Sequence, residues 1–267
     1  MKKTRLDQLI TELGLAPSRE RARAVIMAGE VFVDGQRVDK PGTAVDPAKH
    51  IEVRGAALPY VSRGGLKLEK ALKVFPVTTE GLTCLDCGAS TGGFTDVLLK
   101  NGAKRVYAVD VGYGQLAWSL RGDERVVNME RTNARYLTRQ EIPEEIDLAV
   151  MDLAFISVRL VIPAAEALLK DNGEIICLLK PQFEAGRENV GKKGVVRDEK
   201  VHLQVLTDFM DFVPRSGLTL MGLDYSPIKG PEGNIEYLAW LKKGAHTAPE
   251  LDAEAIVAAS HGELKEH

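Results

Sequence analysis

Between a half-apolar run, Gly81 to Cys87, and an amphipathic helical pattern carried by Phe94, Val97, Leu98 and Leu99, the chain places the stretch Gly88-Ala89-Ser90-Thr91-Gly92-Gly93. A strand that ends in glycines and turns into a helix belongs to a parallel sheet. The glycines then lie at the strand's carboxyl end, where open α/β sheets bind ligands. From Thr83 onward strands and helices alternate, with strand candidates at Thr83 to Cys87, Arg105 to Val109, Arg125 to Met129, Ile146 to Met151 and Glu174 to Leu179. The helices between them are expected to begin near Gly92, Gln115, Thr138 and Ser157. After a helix from Asp198 to Phe212, two last strands, Leu218 to Tyr225 and Ile235 to Leu241, are joined by a glycine-proline turn. Five parallel strands plus a closing antiparallel pair give an α/β sheet of about seven strands.

The spacing of the glycines narrows the ligand. A dinucleotide site asks for G-x-G-x-x-G, whereas here three residues separate Gly88 from Gly92-Gly93. The pattern D-x-G-x-x-x-G-G-F, Asp86 to Phe94, resembles the first motif of S-adenosylmethionine-dependent methyltransferases, whose loop wraps the methionine half of a cofactor that has no phosphate. The resemblance implies a class I, Rossmann-like methyltransferase sheet. It also implies S-adenosylmethionine as cofactor, met by Asp86, Gly88, Ala89, Ser90, Thr91, Gly92, Gly93 and Phe94. Twenty-two residues past Gly88, the strand Lys104 to Val109 delivers Asp110, placed to accept hydrogen bonds from both ribose hydroxyls. Val111, Asn133 and Asp152 complete the expected cofactor set. The alternative is a glycine-rich turn beside a solvated aspartate.

The 267 residues, 45% hydrophobic and 27% charged, suffice for one large domain with a smaller attachment. No run approaches the roughly 20 apolar residues that span a bilayer. The start Met1-Lys2-Lys3-Thr4-Arg5-Leu6 leads into an amphipathic pattern rather than a signal-peptide core. The expected location is cytoplasmic, with no membrane partner. Cys84 and Cys87 form a C-x-x-C, but strand side chains three apart point to opposite faces and sit roughly 10 Å apart, too far for a disulfide. No second ligand pair stands nearby for zinc, so no metal is expected and the cysteines should be buried hydrophobes. Residues 1–54 hold ten Lys/Arg against eight Asp/Glu, and residues 245–267 hold one against five, so the net charge of −3 hides a basic front and an acidic end.

That front reads as Thr4 capping a helix with Leu6, Leu9, Ile10 and Leu13, then Pro17-Ser18 opening a second helix, Arg19 to Ala28. Val31-Phe32-Val33, Asp34-Gly35 and Gln36-Arg37-Val38 form a hairpin with a type I′ turn dipeptide, and His50 to Arg54 supplies another strand. The segment S-R-E-R-A-R-A-V-I-M-A-G-E-V-F-V-D-G-Q-R-V resembles the small αL RNA-binding module of a small-subunit ribosomal protein, pseudouridine synthases and tyrosyl-tRNA synthetases. On that resemblance Arg5, Arg19, Arg21, Arg23, Arg37 and Arg63 are candidate RNA contacts. The expected organisation is a small α+β RNA-binding domain at 1–57, a linker at 58–62, the catalytic domain at 63–243 and an acidic, frayed tail with at most a short helix at 244–267. Lys67, Lys70 and Lys73 should form a basic helix face.

Two strand ends carry unusual residues. Asp147 to Met151 delivers Asp152, and Ile175 to Leu179 delivers Lys180, both at the carboxyl edge beside the glycine loop; packing does not explain a lysine that closes an apolar strand. Glu236, at the start of the last strand, falls near the same rim, within reach of Lys67. Lys67, Asp152, Lys180 and Glu236 match the Lys-Asp-Lys-Glu tetrad of FtsJ-like ribose 2′-O-methyltransferases. Together with V-S-R-G-G-L-K-L, A-V-D-V-G-Y-G-Q-L, M-D-L-A-F-I-S, L-L-K-P-Q-F-E-A-G, G-N-I-E-Y-L and the front module, the chain resembles the hemolysin-A-like (TlyA) ribosomal RNA 2′-O-methyltransferases. The linker, Leu58-Pro59-Tyr60-Val61, lacks the Arg-Ala-Trp of some relatives.

That family implies methyl transfer to a ribose hydroxyl of ribosomal RNA, cytidine by resemblance. Lys180 would act as base, or as a fixed cation with Asp152 as proton acceptor. Asp152-Leu153-Ala154-Phe155 loosely echoes the D-P-P-Y of amino-group methyltransferases, but the prolines are missing and Lys180 is present. Between Phe183 and Lys200, Arg187, Lys192 and Lys193 among three glycines read as a mobile RNA-facing loop. A binding factor without catalysis and a membrane-active hemolysin are the competing function classes.

Overall fold

In the computed structural model, residues 3–16, 18–53, 59–191 and 193–264 are described; of the residues named above, Met1, Lys2, Pro17, Arg54, Leu58 and Lys192 lie outside them. The chain divides into two units, Met1–Arg63 and Gly64–His267.

In the first unit, β1 (Thr4–Arg5) leads into α1 (Leu6–Glu12), followed by α2 (Arg19–Met27), β2 (Val31–Val33), β3 (Gln36–Arg37), β4 (Ala44–Val45) and β5 (Ile51–Val53). Thr4 does not cap α1: it pairs with Val45 in the antiparallel β1–β4 ladder, which makes Arg5 the N-cap, without a side-chain bond. Ser18 does cap α2, accepting the Arg21 N–H at 3.2 Å. The β2–β3 hairpin turns at Asp34 and Gly35, at φ 49° and 78°, the pair of positive angles that a type I′ turn demands. Leu6, Leu9, Ile10, Ala22, Val25, Ile26 and Val31 pack the unit's core.

The second unit opens with α3 (Gly65–Val74) and runs through β6 (Thr83–Cys87), α4 (Gly93–Lys100), β7 (Arg105–Val109), α5 (Trp118–Arg121), β8 (Val126–Met129), β9 (Ile146–Met151), α6 (Ile162–Leu168) and β10 (Leu169–Leu179). It closes with α7 (Pro181–Glu184), α8 (Glu199–Phe212), β11 (Leu218–Tyr225), β12 (Tyr237–Lys243) and α9 (Ala253–Glu263). One seven-stranded sheet has the order β11-β12-β10-β9-β6-β7-β8. β6 to β10 pair in parallel, and β12 is antiparallel to both β10 and β11. β6 is buried along its whole length, as a strand covered on both faces must be, and Cys84, Cys87 and Cys177 are free and buried. The chain order reverses between β6 and β9, so the sheet opens a crevice at their carboxyl ends.

Three further expectations need correction. The helix expected near Thr138 is absent: the connection holds a 3₁₀ turn, Ala134–Tyr136. Thr138 binds the Glu141 carboxylate through its N–H and hydroxyl at 3.0 and 2.7 Å, and Pro143 disfavours a helical Ile142. The supposed basic face of α3 is occupied, since Lys67 is buried, Lys70 meets Asp224 at 3.0 Å and Lys73 meets Glu69 at 3.1 Å. The acidic end is not frayed within the described residues. Asp252 caps α9 by accepting the Ala255 N–H at 2.9 Å, and Val257, Ser260 and His261 are buried, because α9 packs against α8.

Candidate active site

The site lies on the carboxyl rim around β6. Leaving Cys87, the chain turns through Gly88, at φ 85°, so tightly that a Cβ there would stand 2.7 Å from the Asp152 carbonyl oxygen; no larger residue leaves β6 and β9 this close. The Gly88 and Ala89 N–H groups both donate to the Val109 carbonyl, at 2.9 and 3.0 Å, which folds the loop over the end of β7. There Asp110 accepts the Ser90 N–H at 2.8 Å on one carboxylate oxygen and the Gly112 N–H at 2.7 Å on the other. Each oxygen keeps a further acceptor direction. Thr132 N–H donates to the Asp110 carbonyl at 2.9 Å, which brings Asn133 to the same edge, exposed and accepting the Arg135 N–H at 3.0 Å. Val111 is 71% exposed, Ser90 and Thr91 are exposed, and Gly92, Gly93 and Phe94 are buried at the start of α4.

Asp86 has no accessible surface. The Thr95 hydroxyl donates to its Oδ2 at 2.7 Å, while Oδ1 has no hydrogen-bond partner among the described residues. Burial pushes this carboxyl up to about 7, against the Thr95 bond and with help from Asp152 and Asp110. A buried acceptor without a donor and a loop that excludes Cβ form a cradle fitted to the amino-acid half of a sulfonium nucleoside.

On the other side of the crevice two lysines and two carboxylates interlock. Lys67 Nζ, from α3, lies 2.6 Å from Glu236 Oε2 and 3.3 Å from Asp152 Oδ2, and Lys180 Nζ lies 2.6 Å from Asp152 Oδ1. Glu236 immediately precedes the antiparallel β12, whose amino end falls on the rim where β9 and β10 end. The side chains of Glu236 and Lys67 are 1% and 7% exposed, those of Lys180 and Asp152 11% and 20%, so the cluster opens at the Lys180–Asp152 end. Burial works against the Lys67 ammonium, yet Asp152 and Glu236 together raise it above the usual lysine range. Burial likewise penalises the Asp152 carboxylate, but Lys67 and Lys180 hold it below the usual range. Two ammoniums and two carboxylates leave no net charge in a dry pocket, and one edge of it can receive a hydroxyl.

Beside that edge Phe155, 91% exposed and at φ 65°, stands 5.6 Å from the Phe183 ring. Its loop is held from beneath by Glu184, a residue the sequence does not single out. Glu184 accepts the Ser157 hydroxyl at 2.7 Å and the Val158 N–H at 2.8 Å, and pairs with Arg159 at 3.3 Å. The signal available was an acid at the fourth position of the helix that follows Lys180. Among the RNA candidates of this unit, Arg187 and Lys193 are exposed, but their segment is more ordered than a mobile loop. It carries a 3₁₀ turn, Arg187–Asn189, and Val195 and Val196 are buried.

The candidates of the first unit form a separate cluster. Arg5, Arg19 and Arg23 converge on Asp7, with their Nε atoms 3.0, 3.3 and 3.1 Å from its carboxylate. Asp7 has no accessible surface, and the arginine side chains are 49%, 50% and 54% exposed. Arg21 donates to the Tyr60 carbonyl at 2.7 Å. Arg37 lies across Gly29, where a Cβ would collide with its guanidinium. Arg63 makes further interactions.

The description "FtsJ-like methyltransferase" matches residues 60–243, and "S4 domain" matches residues 4–51. The chain is 44% identical over 266 residues to "16S/23S rRNA (cytidine-2'-O)-methyltransferase TlyA" of Mycobacterium tuberculosis, covering 99% of this chain and 98% of that one. It is 43% identical over 236 residues to "Hemolysin A" of Brachyspira hyodysenteriae, covering 88% and 98%. A solved structure of a protein described as a hemolysin, from Streptococcus thermophilus, covers 100% of this chain and 98% of its own at TM-score 0.79 and 46% identity.

Proposed function

We propose, from the premise that the chain belongs to the FtsJ-like methyltransferase family and carries an S4 domain, that it methylates the ribose 2′-hydroxyl of a cytidine in ribosomal RNA, working in the cytoplasm. The observation that carries the reading is the closed Lys67–Asp152–Lys180–Glu236 cluster beside the Gly88 loop. Amine or ring-nitrogen methylation has no use for two lysines there, whereas a ribose hydroxyl needs its proton withdrawn as it attacks.

S-adenosylmethionine supplies an electrophilic sulfonium methyl. Asp86, the Gly88–Gly93 loop and Asp110 are the residues that would hold it, and Val111 and Asn133 border that edge. Lys67, fixed between two carboxylates, keeps its proton and neutralises Glu236 and one oxygen of Asp152. Among the described residues Lys180 has a single carboxylate partner, so it is the group we place against the 2′-hydroxyl: once its ammonium has released a proton to solvent, the neutral amine accepts the hydroxyl proton as the methyl passes from sulfur to oxygen. Asp152 orients Lys180 and balances the charge that develops there.

RNA is brought by the first unit. Three guanidiniums on one carboxylate leave a surplus of two positive charges, suited to phosphates, and the exposed Arg187 and Lys193 would add contacts from the second unit. No helix among the described residues is long and apolar enough to cross a membrane. The test is to map 2′-O-methyl groups in ribosomal RNA from cells with and without the protein. One or more cytidines should lose the mark without it. An unchanged map, with methyl transferred by the purified protein to no rRNA, would overturn the reading.

A further inference from the structure

The segment between Phe183 and Lys200 is fastened, on its returning arm, through the backbone of Gly194 and Val196. The Val196 N–H donates to Asn234 Oδ1 at 3.0 Å, and the Val196 carbonyl accepts from His202 Nε2 at 3.1 Å. Asn234 also donates its amide N–H to the Gly194 carbonyl at 2.9 Å. Asn234 and His202 are 2% and 0% exposed. Because a carbonyl has no proton to give, Nε2 carries the imidazole hydrogen, and the Nδ1 lone pair faces the Tyr237 hydroxyl at 2.7 Å. Burial lowers the imidazole to about 4 and raises the Tyr237 phenol to about 12, so a neutral ring and a protonated phenol hold this pairing near neutral pH. From α9, Ser260 and His261 close the cluster, 3.1 Å from the phenol and 3.2 Å from Nδ1, and Glu199 stands 3.6 Å from His261.

Both fastenings lead to one place. Asn234 precedes Glu236 by two residues and Tyr237 follows it, so the carboxylate that holds Lys67 at 2.6 Å stands between the two points where the basic segment is attached. Neither Asn234 nor His202 bonds to Lys67, Asp152 or Lys180 among the described residues. We infer that Asn234 and His202 are positioning residues that tie the basic Arg187–Arg197 segment to Glu236, so that the segment's placement on RNA and the aim of the Glu236–Lys67 pair are set together. The inference rests on the ribose-methyltransferase reading, which supplies RNA as the segment's ligand and Glu236 as part of the reacting cluster. It assigns a second role to G-N-I-E-Y: one end fixes the segment and the middle fixes the lysine.

The segment offers trypsin sites at Arg187, Lys193 and Arg197, which report its release independently of catalysis. In the full-length chain, Asn234→Ala and His202→Phe should each raise cleavage at these bonds about tenfold, measured by mass well below the thermal midpoint. Single-turnover methyl transfer to rRNA should fall about 10- to 100-fold, the scale of a small misplacement of reacting groups, while calorimetric affinity for S-adenosylmethionine stays at the wild-type value. His202→Gln puts an amide N–H near the position of Nε2 and should restore most of the protection and the rate. Asn234→Asp keeps the acceptor for Val196 but loses the donor to Gly194, and should fall between. If the two stronger variants fail to fold, the milder pair decides, since Asn234→Asp indistinguishable from wild type in cleavage and rate overturns the inference. So does a released segment with an unchanged turnover rate. Wild-type protein without rRNA methylation sinks the functional reading instead, with the proteolysis still judging the fastening.

Discussion

In the S4 unit one carboxylate, Asp7, gathers three guanidiniums; in the methyltransferase unit two carboxylates, Asp152 and Glu236, share two ammoniums. Both clusters are built on acids with little or no exposure, and both hold their central aspartate below the usual carboxylate range. For Asp7 the bond from Arg5 does most, against burial, with Arg23 and Arg19 adding to it. They differ in remainder and in access. Around Asp7 two positive charges are left over on side chains about half exposed, which suits a partner that is negative everywhere. Around Asp152 nothing is left over and water is largely excluded, which suits a proton moved without unbalanced charge. On the proposed function, the same local device serves attachment when cations outnumber acids and chemistry when they match.

The largest expected effect tests the matched cluster. Lys180→Ala should fold and bind both substrates, yet lower single-turnover methyl transfer by about 10²- to 10⁴-fold, the usual loss of a general base. Lys180→Arg should fail as well, because a guanidinium does not give up its proton near neutral pH. Substantial activity in the arginine variant would make Lys180 a fixed cation, and full activity in both would dissolve the contrast between the clusters.

Stability separates them next. Lys67→Met leaves the buried Glu236 carboxylate without the cation it meets, while Asp152 keeps Lys180, and should cost about 3 to 5 kcal/mol in urea unfolding. Arg19→Ala leaves Asp7 with two arginines and should cost under roughly 1 kcal/mol. Equal losses would mean that the clusters are alike.

Outside both clusters the buried acid Asp86 has no cation partner among the described residues, and pH shows the difference. Its folded value of about 7 lies above the ordinary aspartate value of about 3.9. The folded state therefore holds a proton that the unfolded chain releases, and this stabilisation is complete below about pH 4 and lost as pH rises through 7. Without cofactor, Asp86→Asn should exceed wild type by roughly 2 to 4 kcal/mol at pH 8 and match it near pH 4. A difference that does not vary with pH would place a counter-charge beside Asp86. Asp7 runs the other way: its contribution is present above about pH 4 and lost as pH falls below that.

The smallest effect tests the surplus cluster. Arg19→Ala with Arg23→Ala should weaken rRNA binding and reduce its salt dependence by about one to two counterions, leaving affinity for S-adenosylmethionine unchanged. Wild-type binding in that variant would move the RNA elsewhere.

Strand ends made much of the rim legible. Asp152 and Lys180 close apolar runs, and the glycine loop sits where a parallel strand must stop, so period and punctuation place them. Asp7 was not legible. In sequence it is one acid in the first turn of an amphipathic helix, and its burial arises only when α2 brings Arg19 and Arg23 across from 12 and 16 residues away. Glu184, Asn234 and His202 were missed for the same reason, since their partners lie 25 to 27, 38 to 40 and 6 to 59 residues distant. The helix expected at Thr138 failed to a local competitor, the Glu141 carboxylate bound at the would-be first turn. The acidic end was misjudged because α9 shows only a weak apolar pattern and is held by buried polar side chains, Ser260 and His261, as much as by Val257.

The antiparallel insertion of β12 also sets an order of birth. The S4 unit and the strands bearing Asp86, Asp110, Asp152 and Lys180 leave the ribosome before residue 236 is translated, and domains fold as units from the amino end during synthesis. A nascent chain can thus fold its S4 unit while Lys67 still lacks the acid that fixes it. The Lys67–Asp152–Lys180–Glu236 cluster closes only when the last strand slides between β10 and β11.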